Sequence, residues 1–247
     1  MESVSTAALP AAFVVLGRMR PVEVCPRPDL ADGANSGMAR HVVLVHGLRR
    51  TGGDMRLLAA RLRAFLPGTR THIFEYASRQ LTTREAGERL CGFVDAVSGG
   101  EPVSFVGHSL GGLLVRALDA SEGCSVPLHR LVTLGTPHGG AIFARRLARH
   151  RLARALYGPV LHELGSPSLP AQPRQLEIGC LIGGTHSRCG FCPIFGADND
   201  GMVLAQEADL PAGRARQKLI MFHALFPLSK QVAQLAAAFL ATGDFTR

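Results

Sequence analysis

Apolar positions along the chain follow two rhythms. Short unbroken runs such as Val42-Val43-Leu44-Val45 and Leu219-Ile220-Met221-Phe222 have the length and β-branched content of strands buried on both faces of a parallel sheet. Between such runs lie longer stretches in which apolar residues recur every three or four positions, as in helices with one buried stripe. The pattern predicts strands at 41–46, 71–76, 103–108, 130–134, 176–182 and 217–222. It predicts helices at 53–65, 82–97, 110–121 and 229–241. Alternation of this kind implies a mostly parallel central sheet with helices on both faces. The 247 residues, 47% of them hydrophobic, suffice for one domain with a full core.

Two segments break the rhythm. Residues 1–40 contain Pro10, Pro21, Pro26 and Pro28 with little periodicity; they read as an N-terminal extension able to supply an edge strand, leaving 41–247 as the domain proper. The second segment, about 140–175, is the length of a lid or cap inserted beside a substrate site. In its first half Arg145, Arg146, Arg149, Arg151 and Arg154 alternate with Ile142, Phe143, Leu147, Leu152 and Leu156. This is the pattern either of a cap helix packing its apolar stripe on the domain or of a basic amphipathic helix lying on an anionic lipid surface. The first reading is preferred because arginine is abundant everywhere: all but Lys218 and Lys230 of the 27 basic side chains are arginine.

The net charge of +8 favours acidic surfaces in general. No nucleic-acid motif, aromatic stacking platform or lysine-rich tail accompanies it, so no nucleic-acid partner is expected. The apolar stretch from Ala7 to Gly17 is a poor secretory signal, with Glu2 before it and Arg18 and Arg20 after it. A cytoplasmic location is therefore expected, with periplasmic or membrane-peripheral sites left open.

Candidate chemistry centres on Gly107-His108-Ser109-Leu110-Gly111, placed directly between the run Val103-Ser104-Phe105-Val106 and Leu113-Leu114-Val115. Strand, sharp turn and helix in this order make a nucleophile elbow, where glycines let strand and helix meet without Cβ atoms and the serine hydroxyl projects at the carboxyl end of the sheet. Such a serine needs a base and an acid, expected in the chain order Ser, Asp/Glu, His. His223 follows the last apolar run and precedes the loop Leu225-Phe226-Pro227, where it can reach the elbow. Asp200, in the turn cluster Asp198-Asn199-Asp200-Gly201, is the expected acid that would accept the Nδ1 proton of His223; Asp198 is the reserve. The oxyanion would be held by the backbone N–H of Leu110 and, after the early strand, by that of Leu48 in His46-Gly47-Leu48. His46 is expected to pack that loop without acting directly.

Of the six cysteines, Cys180, Cys189 and Cys192 cluster near His186. Zinc, a disulfide and free thiols are all compatible with that spacing, and free thiols are the preferred reading. Cys91 and Cys124 lie in helical contexts and read as small buried hydrophobes.

These segments resemble the α/β-hydrolase superfamily, specifically its bacterial lipase/esterase-like branch. The likeness rests on His46-Gly47-Leu48, the Ser109 elbow, Leu134-Gly135-Thr136-Pro137-His138-Gly139-Gly140, and Asp200-Gly201-Met202-Val203, with His223 in the position of the base. It spans about residues 41–240. The resemblance implies an α/β-hydrolase fold and a serine esterase that cleaves carboxylic esters of small molecules or lipids through an acyl-enzyme on Ser109, without a cofactor. An acyltransferase or thioesterase would use the same three residues, and a non-catalytic binding protein could keep the fold. Secreted calcium-dependent relatives carry an acidic metal ligand shortly after the histidine. Here Ala224-Leu225-Phe226 follows His223, so no calcium or other metal site is expected.

Overall fold

A computed structural model describes residues 23–24 and 38–246, apart from 122, 167–168 and 170–171. The apolar stretch at 7–17 and Cys25 lie outside the described residues. Seven strands form one sheet in the order β1-β7-β6-β5-β4-β2-β3: β1 (Glu23–Val24), β2 (His41–Val45), β3 (Arg70–Phe74), β4 (Val103–His108), β5 (Leu128–Leu134), β6 (Glu177–Gly184) and β7 (Ala215–Ile220). Strands β2 to β7 pair in parallel, and only β1, from the N-terminal segment, pairs antiparallel with β7 at the edge.

Residues one apart on β2 point to opposite faces, as a strand requires. Val43 and Val45 join one core with α2 (Thr83–Ser98) and α3 (Leu110–Ala120). Val42 and Leu44 join the other with α1 (Arg56–Phe65) and α7 (Lys230–Thr242). Both faces are covered, which is why the strand runs carry no polar alternation. Helix α2 starts on a capping box in which Thr82 and Glu85 satisfy each other's backbone N–H. Helices α2 and α7 end at Gly99 and Gly243, both in the left-handed conformation.

The insertion after β5 is not one continuous helix. It breaks into α4 (Ile142–Leu147), α5 (Arg151–Tyr157) and α6 (Val160–Gly165). The stripe also splits: Ala144, Ala153, Leu161 and Leu164 are buried, whereas Leu152 is 86% and Leu156 47% exposed. A sequence period cannot show this, because the turn at 148–150 rotates the second helix relative to the first. The cap is held by few polar contacts. The Ala141 amide donates to Leu164 O at 2.8 Å, the Ile142 amide to Glu207 Oε1 at 2.7 Å, and the Thr83 amide to Glu163 Oε2 at 2.6 Å. The Arg49 guanidinium sits over the Tyr157 ring at 5.1 Å. No described helix is long and apolar enough to cross a membrane.

Candidate active site

Ser109 stands between β4 and α3 with φ 53° and ψ −119°, a conformation that non-glycine residues seldom adopt and that persists only where the surroundings enforce it. The flanking glycines supply the enforcement. A Cβ on Gly107 would lie 2.5 Å from Gly112 Cα, and one on Gly111 would overlap the Val45 carbonyl and lie 2.7 Å from His46 O. The Ser109 amide is spent on Leu134 O at 2.9 Å. Its carbonyl accepts from Thr136 Oγ1 at 3.0 Å. The peptide around the serine is thus tied to the β5 strand end; the Gly112 amide turns back to Ser109 O at 3.1 Å, and the Leu110 and Gly111 amides at the start of α3 are left without intrahelical partners.

The structure brings His223 and Asp200 together. His223 Nδ1 donates to Asp200 Oδ2 at 2.6 Å, and the His223 amide donates to Asp200 O at 2.8 Å. Two further backbone donors, Met202 N at 3.0 Å and Val203 N at 2.8 Å, close on Asp200 Oδ1. Both residues are buried, and a carboxylate so placed needs the full set of donors. With Nδ1–H committed to the acid, Nε2 is the ring nitrogen available to the serine. Ser109 and His223 line the same cleft, together with His108, Gly47 and Leu48.

Asp198, the reserve acid, turns elsewhere. Its carboxylate accepts from the amides of Thr185 at 2.8 Å and His186 at 3.2 Å, closing the end of β6. Between the two aspartates, Asn199 donates to the carbonyls of Cys189 and Cys192 and accepts from the Cys192 and Gly201 amides. The Cys180/Cys189/Cys192 cluster is therefore not a converged site. Cys180 is buried in β6 facing His138, while Cys189 and Cys192 belong to a loop held by Asn199. All three are free thiols, and among the described residues no group of His, Cys, Asp or Glu is arranged to hold a metal ion.

The Gly47 turn passes directly beside Ser109: a Cβ there would come 3.2 Å from Ser109 Cβ. His46 lies behind this turn and does not line the cleft. Its Nδ1 donates to Gly47 O at 2.9 Å, its ring stacks on Tyr76 at 4.4 Å, and its carbonyl accepts from Tyr76 Oη at 2.8 Å. The loop bearing the Leu48 amide is thus braced from below.

Three participants carry no clear sequence signal. His108 Nε2 donates to His223 O at 3.0 Å, fixing the loop that carries His223; burial, then the neighbouring His223, holds the His108 imidazole well below its ordinary pKa and so neutral. Glu207 accepts from Leu204 N and from Ile142 N, coupling the acid loop to α4. Asp119 accepts from the amides of Arg174, Gln175 and Leu176 and docks the end of the insertion on α3. His108 could have been suspected from its place beside Ser109. The two acids could not, since one carboxylate looks like any other in a sequence and only the fold buries these two.

The roof of the cleft is apolar, built from Phe143, Ala144 and Leu147 of α4, Tyr157 of α5, and Leu161 and Leu164 of α6. Arg50 stands at the rim and pairs with Asp54 at 3.2 Å.

The family described as "Putative serine esterase (DUF676)" matches residues 36–156. The mature form of the lipase BlEst2 from Bacillus licheniformis superposes with a TM-score of 0.62 at 19% identity, covering 81% of this chain and 94% of that one. The product of the lin2722 gene of Listeria innocua gives 0.55 at 17%, covering 82% and 94%. The metagenomic carboxyl esterase MGS0156 gives 0.55 at 16%, covering 80% and 68%. Sheet order and elbow give this chain the α/β-hydrolase fold. The match of residues 36–156 to a serine esterase family supports an ester-cleaving serine hydrolase of the lipase/esterase-like kind.

Proposed function

We propose that the protein hydrolyses carboxylic esters with a sizeable apolar acyl group through an acyl-enzyme on Ser109. The observation that carries this reading is the 2.6 Å contact of His223 Nδ1 with Asp200 Oδ2, in a cleft that also holds the strained Ser109 under an apolar roof. His223 Nε2 takes the hydroxyl proton as Ser109 Oγ attacks the acyl carbon. Asp200 keeps the ring in the competent tautomer and stabilises the imidazolium. The developing oxyanion lies against the Leu48 and Leu110 amides, which need no reorganisation during the step. The proton passes from His223 to the leaving alcohol. Water, activated by the same base, then releases the acid and regenerates Ser109.

The roof residues of α4 and α6 suit an acyl chain better than a charged one, because an unpaired charge would be desolvated there. Purified protein assayed on p-nitrophenyl esters of graded chain length should prefer medium or long chains. A fluorophosphonate probe should label wild type and not Ser109→Ala. Turnover undiminished in Ser109→Ala would overturn the assignment.

Lipid esters at an anionic surface are the proposed physiological form of such substrates. Leu152 and Leu156 project from α5 among Arg149, Arg151 and Arg154, so this outer face combines insertable apolar groups with positive charge.

A further inference from the structure

The groove between α2 and α3, on the side of the sheet opposite α1 and α7, holds a second pair of chemically active groups that ester cleavage does not use. Cys91 lies on α2 and Cys124 on the loop just after α3. Both are half-buried against the same core and both are free. The Cys91 thiol donates to the Gly123 carbonyl at 3.5 Å, and that carbonyl carbon is bonded to the Cys124 nitrogen. The Cys124 thiol is a neighbour of the Cys91 thiol. A disulfide asks for Cα atoms about 4.4–6.8 Å apart and side chains directed at each other. A sulfur already resting on the neighbouring carbonyl is compatible with that demand.

We propose that Cys91 and Cys124 form a redox-switchable disulfide that staples α2 to the end of α3. The oxidant is a small disulfide of the glutathione class. The Cys124 thiolate attacks one sulfur of oxidised glutathione, forming a protein–glutathione mixed disulfide and releasing one glutathione thiolate. The Cys91 thiolate then attacks the Cys124 sulfur, forming the intramolecular bond and releasing the second. Two protein thiols are oxidised, one oxidised glutathione is reduced to two thiols, and the two protons leave with them. Burial, and after it the adjacent Cys124, push the Cys91 thiol up to about 11, which suits it to the second, intramolecular step, where proximity replaces thiolate population.

The consequence follows from where the bond lies in the chain. The segment from 91 to 124 contains β4, the Ser109 elbow and α3. Cross-linking its ends closes a loop around the strained turn and removes open conformations of that segment from the unfolded ensemble. The bond should therefore guard the elbow against thermal unfolding without touching the cleft.

The test is oxidation of the full-length folded protein with oxidised glutathione, followed by non-reducing peptide mapping and by thermal unfolding followed with far-ultraviolet circular dichroism. A cross-linked peptide joining residues 91 and 124 should be the main product, and the unfolding midpoint should rise by several degrees and return on reduction. Cys91→Ser and Cys124→Ser should each abolish both effects while remaining folded in the reduced state. A main product joining Cys189 to Cys192, glutathione adducts at 91 or 124 that never resolve, or an unchanged midpoint would each overturn the proposal. None of these readouts depends on ester hydrolysis, so they stand apart from the fate of the Ser109 assignment.

Discussion

The floor and the roof of the cleft are built on different principles. The floor is the carboxyl end of the sheet, where backbone meets backbone: the Gly107 and Gly111 contacts, the Ser109 amide on Leu134 O and the four donors on Asp200 leave no slack. The roof is three short helices held by Glu207, Glu163, one backbone hydrogen bond and a cation–π contact. Each helix is too short to be stable alone. The groups proposed to act chemically sit on the closely interlocked part, and the apolar lining sits on the part held by fewer contacts.

The sharpest break of the floor is chemical. Ser109→Ala should lower kcat by about 10⁴-fold or more with KM little changed, since a nucleophile acts in the transition state alone; steady-state kinetics on a p-nitrophenyl ester check it. Next comes a steric break. Gly111→Ala places a methyl inside the Val45 carbonyl, where neither backbone can yield cheaply, and should cost several kcal/mol in urea unfolding. A comparable methyl on the roof, at exposed positions of α5, should cost almost nothing.

A third prediction uses pH. Burial, with Arg116 beside it, pushes the His138 imidazole down to about 3, and burial likewise depresses His108. Both are neutral in the folded floor but protonate near 6.5 once unfolded. The folded state then binds fewer protons, so stability is complete above about pH 6.5 and is lost as pH falls toward the folded values. Each such histidine adds a slope of about 1.4 kcal/mol per pH unit. Urea midpoints at pH 7, 6 and 5 should show the decline, and His138→Asn should make it shallower by one histidine's share.

The roof gives smaller effects. Glu207→Gln replaces one of the two oxygens that accept backbone N–H groups with an amide nitrogen that cannot accept, and should cost about 1 kcal/mol while raising KM for long-chain esters more than for acetate. Smallest of all, Leu152→Ser should shift stability by less than about 0.5 kcal/mol. It should nevertheless weaken co-sedimentation with phosphatidylglycerol vesicles. Undiminished vesicle binding would detach α5 from any membrane contact.

The same contrast governs how much of the molecule could be read from its residues. Strand runs and amphipathic helices are local patterns. The strand expected at 103–108 is the one observed, and those expected at 41–46 and 217–222 differ from the observed ends only by one or two residues, because core burial acts on every residue of a run. The elbow is legible for a similar reason: its glycines answer to clashes within a few residues of Ser109. What could not be read is what depends on distant partners. Asp198 and Asp200 are equivalent as letters, and only the fold turns one toward His223 and the other into the end of β6. Nor could the sequence say that the arginine-rich stretch breaks at 148–150 and exposes Leu152, or that Glu207 reaches the start of α4.

By itself, then, the order of residues determined the sheet, its helices and the turn that strains Ser109, since backbone sterics and apolar period are short-range. The choice of acid, the path of the cap and the meeting of Cys91 with the loop at Cys124 were decided by tertiary structure alone. Each is a contact between segments whose separation in sequence carries no information about their distance in space.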